Sequence, residues 1–406
     1  MADTPLYRHR PFLMLWLGSV ASSFGLAIAL LAETWYAVNV LQLKAELGYI
    51  MLAGTLPRIA LMALGGVLAD RLPRGRIMAA SFVCRAVLMG AVAWAIQAGQ
   101  MNLPLLIGMA ALYGALDALF WPARDAILPA LLGGSLLTRA NAWLLATNQL
   151  GLVFGPVLGG ILLAALPFQA VFGLTAVVML LGAIACAVIA EPRHELGRHA
   201  PLWVSLKQGF ASVRDTPVLR TLLLVYAVAN LLFMGPMGFA PPLLAASLPG
   251  ASAGLLAQLQ SAFAGGMLAG GVLLALRPPQ HKRLALICWV IAIEGGLLAI
   301  LPQLGAVAAT VVQFAIGFCI ACNNVPMLAL LQQYTPADRI GRVMSLNSTA
   351  SLGLTPLSYA LSSGLLSAGL SLGNLTAVGG LGLTLCCLAL LAASPTVRQA
   401  DHPART

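Results

Sequence analysis

Five ionisable side chains fall inside otherwise apolar stretches of this sequence: Glu33, Arg58, Arg85, Asp117 and Glu294. A charge in hydrocarbon is costly unless it is paired or hydrated, so each is a candidate for carrying a proton or balancing a counter-charge. Glu33 lies in the outer part of the first stretch and Arg58 near the middle of the second, about 10 Å apart in depth by the helix rise. A long arginine side chain closes part of that gap. An ion pair between them that opened when Glu33 took a proton would couple protonation to helix movement, because burial disfavours an ionised carboxyl and a neighbouring cation favours it. A permanent structural pair, or a Glu33 at the outer interface, is the competing reading. Glu294 falls about ten residues into the ninth stretch, near the midplane, where proton coupling competes with a packing or snorkelling role. Arg85 sits near the cytoplasmic end of the third stretch, which predicts a snorkelling side chain. Asp117, near the same end of the fourth, is expected to join a cytoplasmic arginine network.

No other constellation supports chemistry. The nucleotide-binding pattern G-x-x-x-x-G-K-[ST] does not occur. All five histidines, His9, His194, His199, His281 and His402, lie in loops or tails, with no metal spacing and no nucleophile-base pair. Cys319 and Cys322 form a C-x-x-C, but within an apolar helix, where small packing residues are the better reading. The sequence therefore predicts no enzyme, no metal and no cofactor, and points to the proton gradient as energy source.

The elements that hold these charges follow from composition. The 406 residues are 60% hydrophobic and only 8% charged, with a mean hydropathy of +0.93. Such a chain has too little polar material to cover a soluble globule and must be solvated by lipid. A spanning helix takes about 20 apolar residues, and the chain divides into twelve such segments near 11–37, 47–69, 77–98, 103–121, 141–165, 169–190, 218–246, 253–276, 284–301, 305–331, 343–367 and 372–394. Helices are required because a lipid-facing segment must satisfy its own backbone hydrogen bonds. The predicted class is an all-α integral membrane protein in two six-helix bundles. Apart from Lys44, Arg58 and Arg85, the lysines and arginines fall in alternate loops, which places both termini in the cytoplasm of a bacterial-type inner membrane. A net charge of +10 dispersed over short loops serves topology and excludes a nucleic-acid groove. The first apolar run is too long for a signal-peptide core and stays as the first span.

The longest hydrophilic stretch, 191–217, separates residues 1–190 from 218–406, giving an N-terminal bundle, a cytoplasmic linker and a C-terminal bundle. At an offset of 200 residues, the segment Ala63 to Ala69 (ALGGVLA) meets Phe263 to Ala269 (FAGGMLA), and the Pro156 region meets the Pro356 region. Parallel six-helix repeats are one architecture for alternating access.

Two motifs carry a resemblance. Gly66, Asp70, Arg71, Arg74 and Arg76 lie between the second and third spans, where the sequence resembles the major facilitator superfamily signature G-x-x-x-D-R-x-G-R-R. Pro73 stands where that family prefers glycine and Gly75 where it prefers a basic residue. Gly151, Gly155, Pro156, Gly159 and Gly160 match the family's antiporter pattern G-x-x-x-G-P-x-x-G-G at every fixed position. Small residues on one stripe permit close helix packing, and the proline bends its helix. The resemblance implies that the first motif, with Asp117, is a cytoplasmic latch, and that the second marks proton-exchanging exporters. Phe120 to Arg124, Arg139 to Ala142 and Gln332 to Ser345 are similar to the branch with the enterobactin exporter and macrolide efflux proteins. Related antiporters carry an arginine in the fourth span, where this chain has Ala110, which leaves Glu33 with Arg58 as a substitute.

The resemblance further implies a central cavity lined by the first, fourth, seventh and tenth helices, offering Trp35, Asn39, Tyr113, Asn230, Phe233, Met234, Gln313 and Asn323. Aromatic and methionine side chains suit a bulky, partly apolar substrate. The expected function is secondary active export of a small amphipathic molecule, a drug or a siderophore, by a monomer. An importer or facilitator of a small nutrient with the same fold is the alternative.

Overall fold

The computed structural model describes residues 6–132, 134–189, 216–279, 283–335, 340–394 and 397. Among them are twelve long helices: α1 (Arg10–Trp35), α2 (Leu47–Arg71), α3 (Arg74–Gln97), α4 (Leu103–Leu131), α5 (Gly134–Ala165), α6 (Phe168–Ala187), α7 (Pro217–Ser247), α8 (Ala253–Leu276), α9 (Arg283–Ile300), α10 (Ala306–Gln333), α11 (Ile340–Ser367) and α12 (Leu372–Ala393). Ten of these are long and apolar enough to cross a membrane, and α2 adds the apolar run Leu47–Met62. The exposed surface is itself apolar, with Val87, Leu145, Val307 and Leu385 all more than 60% exposed. An outer face of this kind needs hydrocarbon around it.

The chain forms two compact units, Met1–Arg198 with Gly250–Ser261, and His199–Pro249 with Ala262–Thr406. In the first, α2 packs on α4, α3 on α6, and α1 on both α5 and α6. In the second, α9 packs on α12 and α10, and α7 on α11 and α12. Helix ends use local caps: Asn102 accepts from the Leu105 amide at 3.0 Å, Ser252 from Leu255 at 3.1 Å and Ser371 from Asn374 at 3.2 Å. Each satisfies a backbone donor that lacks a partner in the first turn.

Two departures from the sequence expectation bear on the site. Helix α4 continues ten residues beyond the predicted end at 121, through Pro122 and Pro129. Its Arg124 lies 4.2 Å over the Trp121 ring and donates to Asp125 at 2.6 Å, so the helix carries this polar cluster without breaking into a loop. Asp117 is thereby moved to the middle of α4. Helix α1 passes at Tyr36–Val40 into a π-helical turn, closed by Leu41 N donating to Tyr36 O at 3.1 Å. Such turns widen a helix locally and recur at functional sites.

Glycines set the closest crossings, and the two bundles repeat the device. A methyl on Gly114 of α4 would overlap the Gly54 carbonyl of α2, and one on Gly317 of α10 would overlap the Phe263 carbonyl of α8. Second and fourth helices of each bundle therefore meet backbone to backbone. The glycine stripe of α5 is used on α1: Gly151 faces Ser23, Gly155 faces Ala27 and Gly159 faces Leu31, one turn at a time. Toward the start of α5, Ser23 Oγ donates to Asn148 Oδ1 at 2.8 Å and Trp16 Nε1 to Thr147 Oγ1 at 2.8 Å.

Candidate functional site

The backbone contact of Gly54 with Gly114 decides which charges meet. Arg58 stands one turn beyond Gly54 and Asp117 one turn beyond Gly114. Arg58 Nε lies 3.3 Å from Asp117 Oδ2. The expected pairing of Arg58 with Glu33 is thus corrected: α2 packs against α4, while α1 packs against α5 and α6. Asp117 also accepts from Arg85 Nη1 at 3.1 Å and from Trp121 Nε1 at 3.1 Å. Arg85 does not snorkel. It is fully buried, donates to Ser22 Oγ at 3.3 Å, and its Cζ stands 4.5 Å from the Phe82 ring centroid and 5.2 Å from that of Phe120. Asp117 belongs to this buried network, midway along α4.

Of the latch residues, the side chains of Gly66, Asp70 and Arg71 lie outside the described residues. Arg74 is buried and Arg76 exposed at the start of α3. In α5, Gly151, Gly155, Pro156, Gly159 and Gly160 are all buried.

The remaining acidic groups open into two cavities. The first, about 460 Å³, lies within the first unit between α1, α3, α4 and α6. Its wall includes Glu33, Tyr36, Met89, Met101, Met109, Ala110, Tyr113 and Phe172. Among the described residues, Glu33 has neither a hydrogen-bond donor nor a cation against it. The buried Tyr113 hydroxyl also has no hydrogen-bond partner.

The second cavity, about 350 Å³, lies within the second unit between α7, α9 and α10. It gathers Asn230, Phe233, Met234, Glu294 and Asn323, all named from the sequence, and adds Tyr226 and Asn324, which were not. Glu294 is 4% exposed and accepts from Asn323 Nδ2 at 2.8 Å. The Tyr226 hydroxyl lies 2.6 Å from Asn323 Oδ1 and 2.9 Å from Asn324 Oδ1. Asn230 donates back to the Tyr226 carbonyl at 2.9 Å, one turn along α7. Glu294 on α9 is thus joined to α7 through an α10 amide. Tyr226 was detectable in principle as a polar residue one turn before Asn230, but an isolated tyrosine in an apolar run carries little signal.

Trp35, Asn39 and Gln313 line neither cavity. Trp35 is buried in α1, and Asn39 is exposed on the π-helical turn. Gln313 is fully buried with both amide atoms unpartnered among the described residues. The seven cysteines are free, Cys319 and Cys322 included. No His, Cys, Asp and Glu grouping among the described residues could hold a metal ion.

Comparison with known proteins fits this architecture. Macrolide efflux protein A of Streptococcus pyogenes is 26% identical over 86% of this chain and 88% of its own length. Multidrug efflux pump Tap of Mycolicibacterium fortuitum is 28% identical over 56% of this chain and 58% of its own. Among solved structures, that of the nucleoside transporter NupG superposes with a TM-score of 0.76 at 11% identity, covering 94% of this chain and 99% of that one. A bacterial homologue of the human lysosomal transporter Spinster gives 0.69 at 15% identity over 100% of both chains. These likenesses establish a shared fold. The Major Facilitator Superfamily profile matches residues 15–355, and the chain, a multi-pass membrane transporter and not an enzyme, belongs to that superfamily.

Proposed function

We propose that this transporter is a proton-driven exporter of small amphipathic molecules. It would work by alternating access in a bacterial-type inner membrane, with both termini cytoplasmic. Export is favoured by the names of its relatives and by the intact glycine-proline stripe of α5. Proton coupling rests on one observation: Glu294 is buried with no cation beside it among the described residues and reaches the second cavity through Asn323 and Tyr226.

The chain of bonds has a direction. An ionised Glu294 accepts from the Asn323 amide nitrogen, which turns the amide oxygen toward Tyr226. A protonated Glu294 becomes a donor and calls for the amide oxygen instead. Asn323 would then present its nitrogen to Tyr226, whose single hydroxyl proton turns to Asn324. A proton on α9 is thereby read as a reversed donor pattern on α7 and α10, at the wall of the cavity.

The test is uptake into inverted membrane vesicles of a fluorescent lipophilic cation and of a catecholate siderophore, with and without an imposed pH gradient. Gradient-dependent uptake that vanishes in Glu294→Gln supports the reading and reports the substrate class. Uptake indifferent to the gradient would show a facilitator.

A further inference from the structure

We propose that Arg58 of α2 receives the acid group of an anionic amphipathic solute. The inference rests on the export reading and deepens it, because it names the charge of the substrate.

Charge balance comes first. Guanidinium groups keep their proton in proteins, and two of them, Arg58 and Arg85, meet the single carboxylate of Asp117. The cluster therefore holds one positive charge more than it neutralises. Glu33 does not cancel the surplus, since no ion pair joins it to either arginine among the described residues. Acceptors run short as well. The two Asp117 oxygens face Arg58 Nε, Arg85 Nη1 and Trp121 Nε1, while Arg85 Nε and Nη2 are buried with no hydrogen-bond partner. An added anion would supply what the cluster lacks, a negative charge.

Exposure decides which arginine an anion can reach. Arg85 is sealed against the Phe82 and Phe120 rings, whereas the Arg58 side chain is 42% exposed. Arg58 meets Asp117 from Nε, and this is the ion pair it makes among the described residues. The outer edge of its guanidinium can then take a carboxylate through two parallel bonds. Depth decides where the anion comes from. Arg58 lies 11 residues after Leu47 and 13 before Arg71, the ends of α2, which is about 16 and 20 Å by the helix rise. Lipid headgroups at either face are beyond the reach of one side chain. A charge at such depth faces the bundle interior or a hydrated cavity, not hydrocarbon, so the anion is a solute that enters the protein. One turn along α2, Leu61 is half-buried and Met62 exposed, apolar surface for the rest of that solute.

The experiment uses the purified full-length protein in detergent, without any gradient, so that binding is read apart from transport. Three probes share one ring system and differ in charge: 2-naphthoate, 2-naphthamide and 2-naphthyltrimethylammonium. Each is titrated against wild type, Arg58→Gln and Arg58→Lys. Asp117 keeps Arg85 and Trp121 in both variants, so thermal unfolding should shift little. Wild type should bind the acid more tightly than the amide, and the ammonium most weakly. In Arg58→Gln the acid should lose roughly tenfold or more in affinity, as removal of one member of a desolvated charge pair does, while the amide is unaffected. Arg58→Lys should recover part of the loss, since it restores the charge without the planar fork. A packing role for Arg58 would move acid and amide alike. Independently of any variant, an azido derivative of 2-naphthoate should label peptides of α2 and α4 in wild type, and excess 2-naphthoate should protect them. Equal wild-type affinity for the three probes, no binding of the acid, equal losses of acid and amide in Arg58→Gln, or labelling confined to other helices would each overturn the proposal. Failure of the export reading would instead appear as gradient-independent uptake in vesicles while the acid still bound through Arg58.

Discussion

The two bundles bury carboxylates in opposite company. In the first, Asp117 is clamped by two guanidiniums and an indole within 3.3 Å. In the second, Glu294 meets, among the described residues, an amide that is itself held by a tyrosine hydroxyl. Both side chains are acidic, both are buried, and both sit on helices that are apolar all round. The difference teaches that an intramembrane carboxylate is not one kind of site. A carboxylate fixed by cations leaves them unpaired when it takes a proton. One held by groups that both donate and accept can stay hydrogen-bonded in either state, which is the arrangement the proposed proton coupling uses.

The sharpest way to break this contrast is Asp117→Asn. It leaves Arg85 and Arg58 without their carboxylate, and orphaning a buried partner costs on the order of 3–5 kcal/mol. Thermal unfolding in detergent should drop markedly, and a second change, Arg85→Met, should recover part of the loss. If Asp117→Asn unfolds like wild type, the clamp is not structural. The parallel change in the second bundle, Glu294→Gln, should leave unfolding nearly unchanged, because an amide can still accept from Asn323, while gradient-driven uptake disappears. Similar losses of stability in both variants would erase the distinction between the two carboxylates.

Which carboxylate takes which role was not legible in the sequence, although the helices were. Runs of about twenty apolar residues fix spans on length alone, and the glycine-proline stripe of α5 pointed to a close crossing that α1 supplies. Pairing depends instead on rotation about each helix axis and on which helices touch. A helix apolar on every side carries no periodic signal for its rotation. Glu33 and Arg58 therefore looked matched by depth, yet α2 turns Arg58 to α4. Arg85 looked free to snorkel, yet α3 aims it inward at Phe82 and Phe120. Asp117 was misplaced because Trp121-Pro122-Ala123-Arg124-Asp125 reads as a loop, whereas the stack of Arg124 on Trp121 lets α4 run through it. The α9 carboxylate was noticed, but its route through Asn323 to Tyr226 needed three helices in register.

Where the bundles are alike, they should fail alike. Gly114→Ala in the first and Gly317→Ala in the second each place a methyl onto a carbonyl of the partner helix. Overpacking of this kind costs about 1–3 kcal/mol. Gly90→Ala and Gly296→Ala, which meet nothing within 4 Å, should cost nothing by the same unfolding measurement. Unequal losses at Gly114 and Gly317 would show that the repeat in sequence is not a repeat in packing.

The smallest expected effect separates the bundles again, at the level of one hydroxyl. Tyr226→Phe removes the hydroxyl whose single proton lies between the Asn323 and Asn324 amide oxygens, a loss of about 1 kcal/mol by the net worth of a hydrogen bond. Tyr113→Phe removes a hydroxyl that has no partner among the described residues, so its unfolding should match wild type or rise slightly, since a buried polar group without a bond is itself a cost. The functional readout divides them further. With Tyr226 gone, Asn323 loses the group that orients its oxygen, and gradient-driven uptake should slow. With Tyr113 gone, uptake should keep both its rate and its gradient dependence. Identical behaviour of the two phenylalanine variants would mean that the hydrogen-bond chain of the second bundle is ordinary packing, and that Glu294 communicates with its cavity by another route.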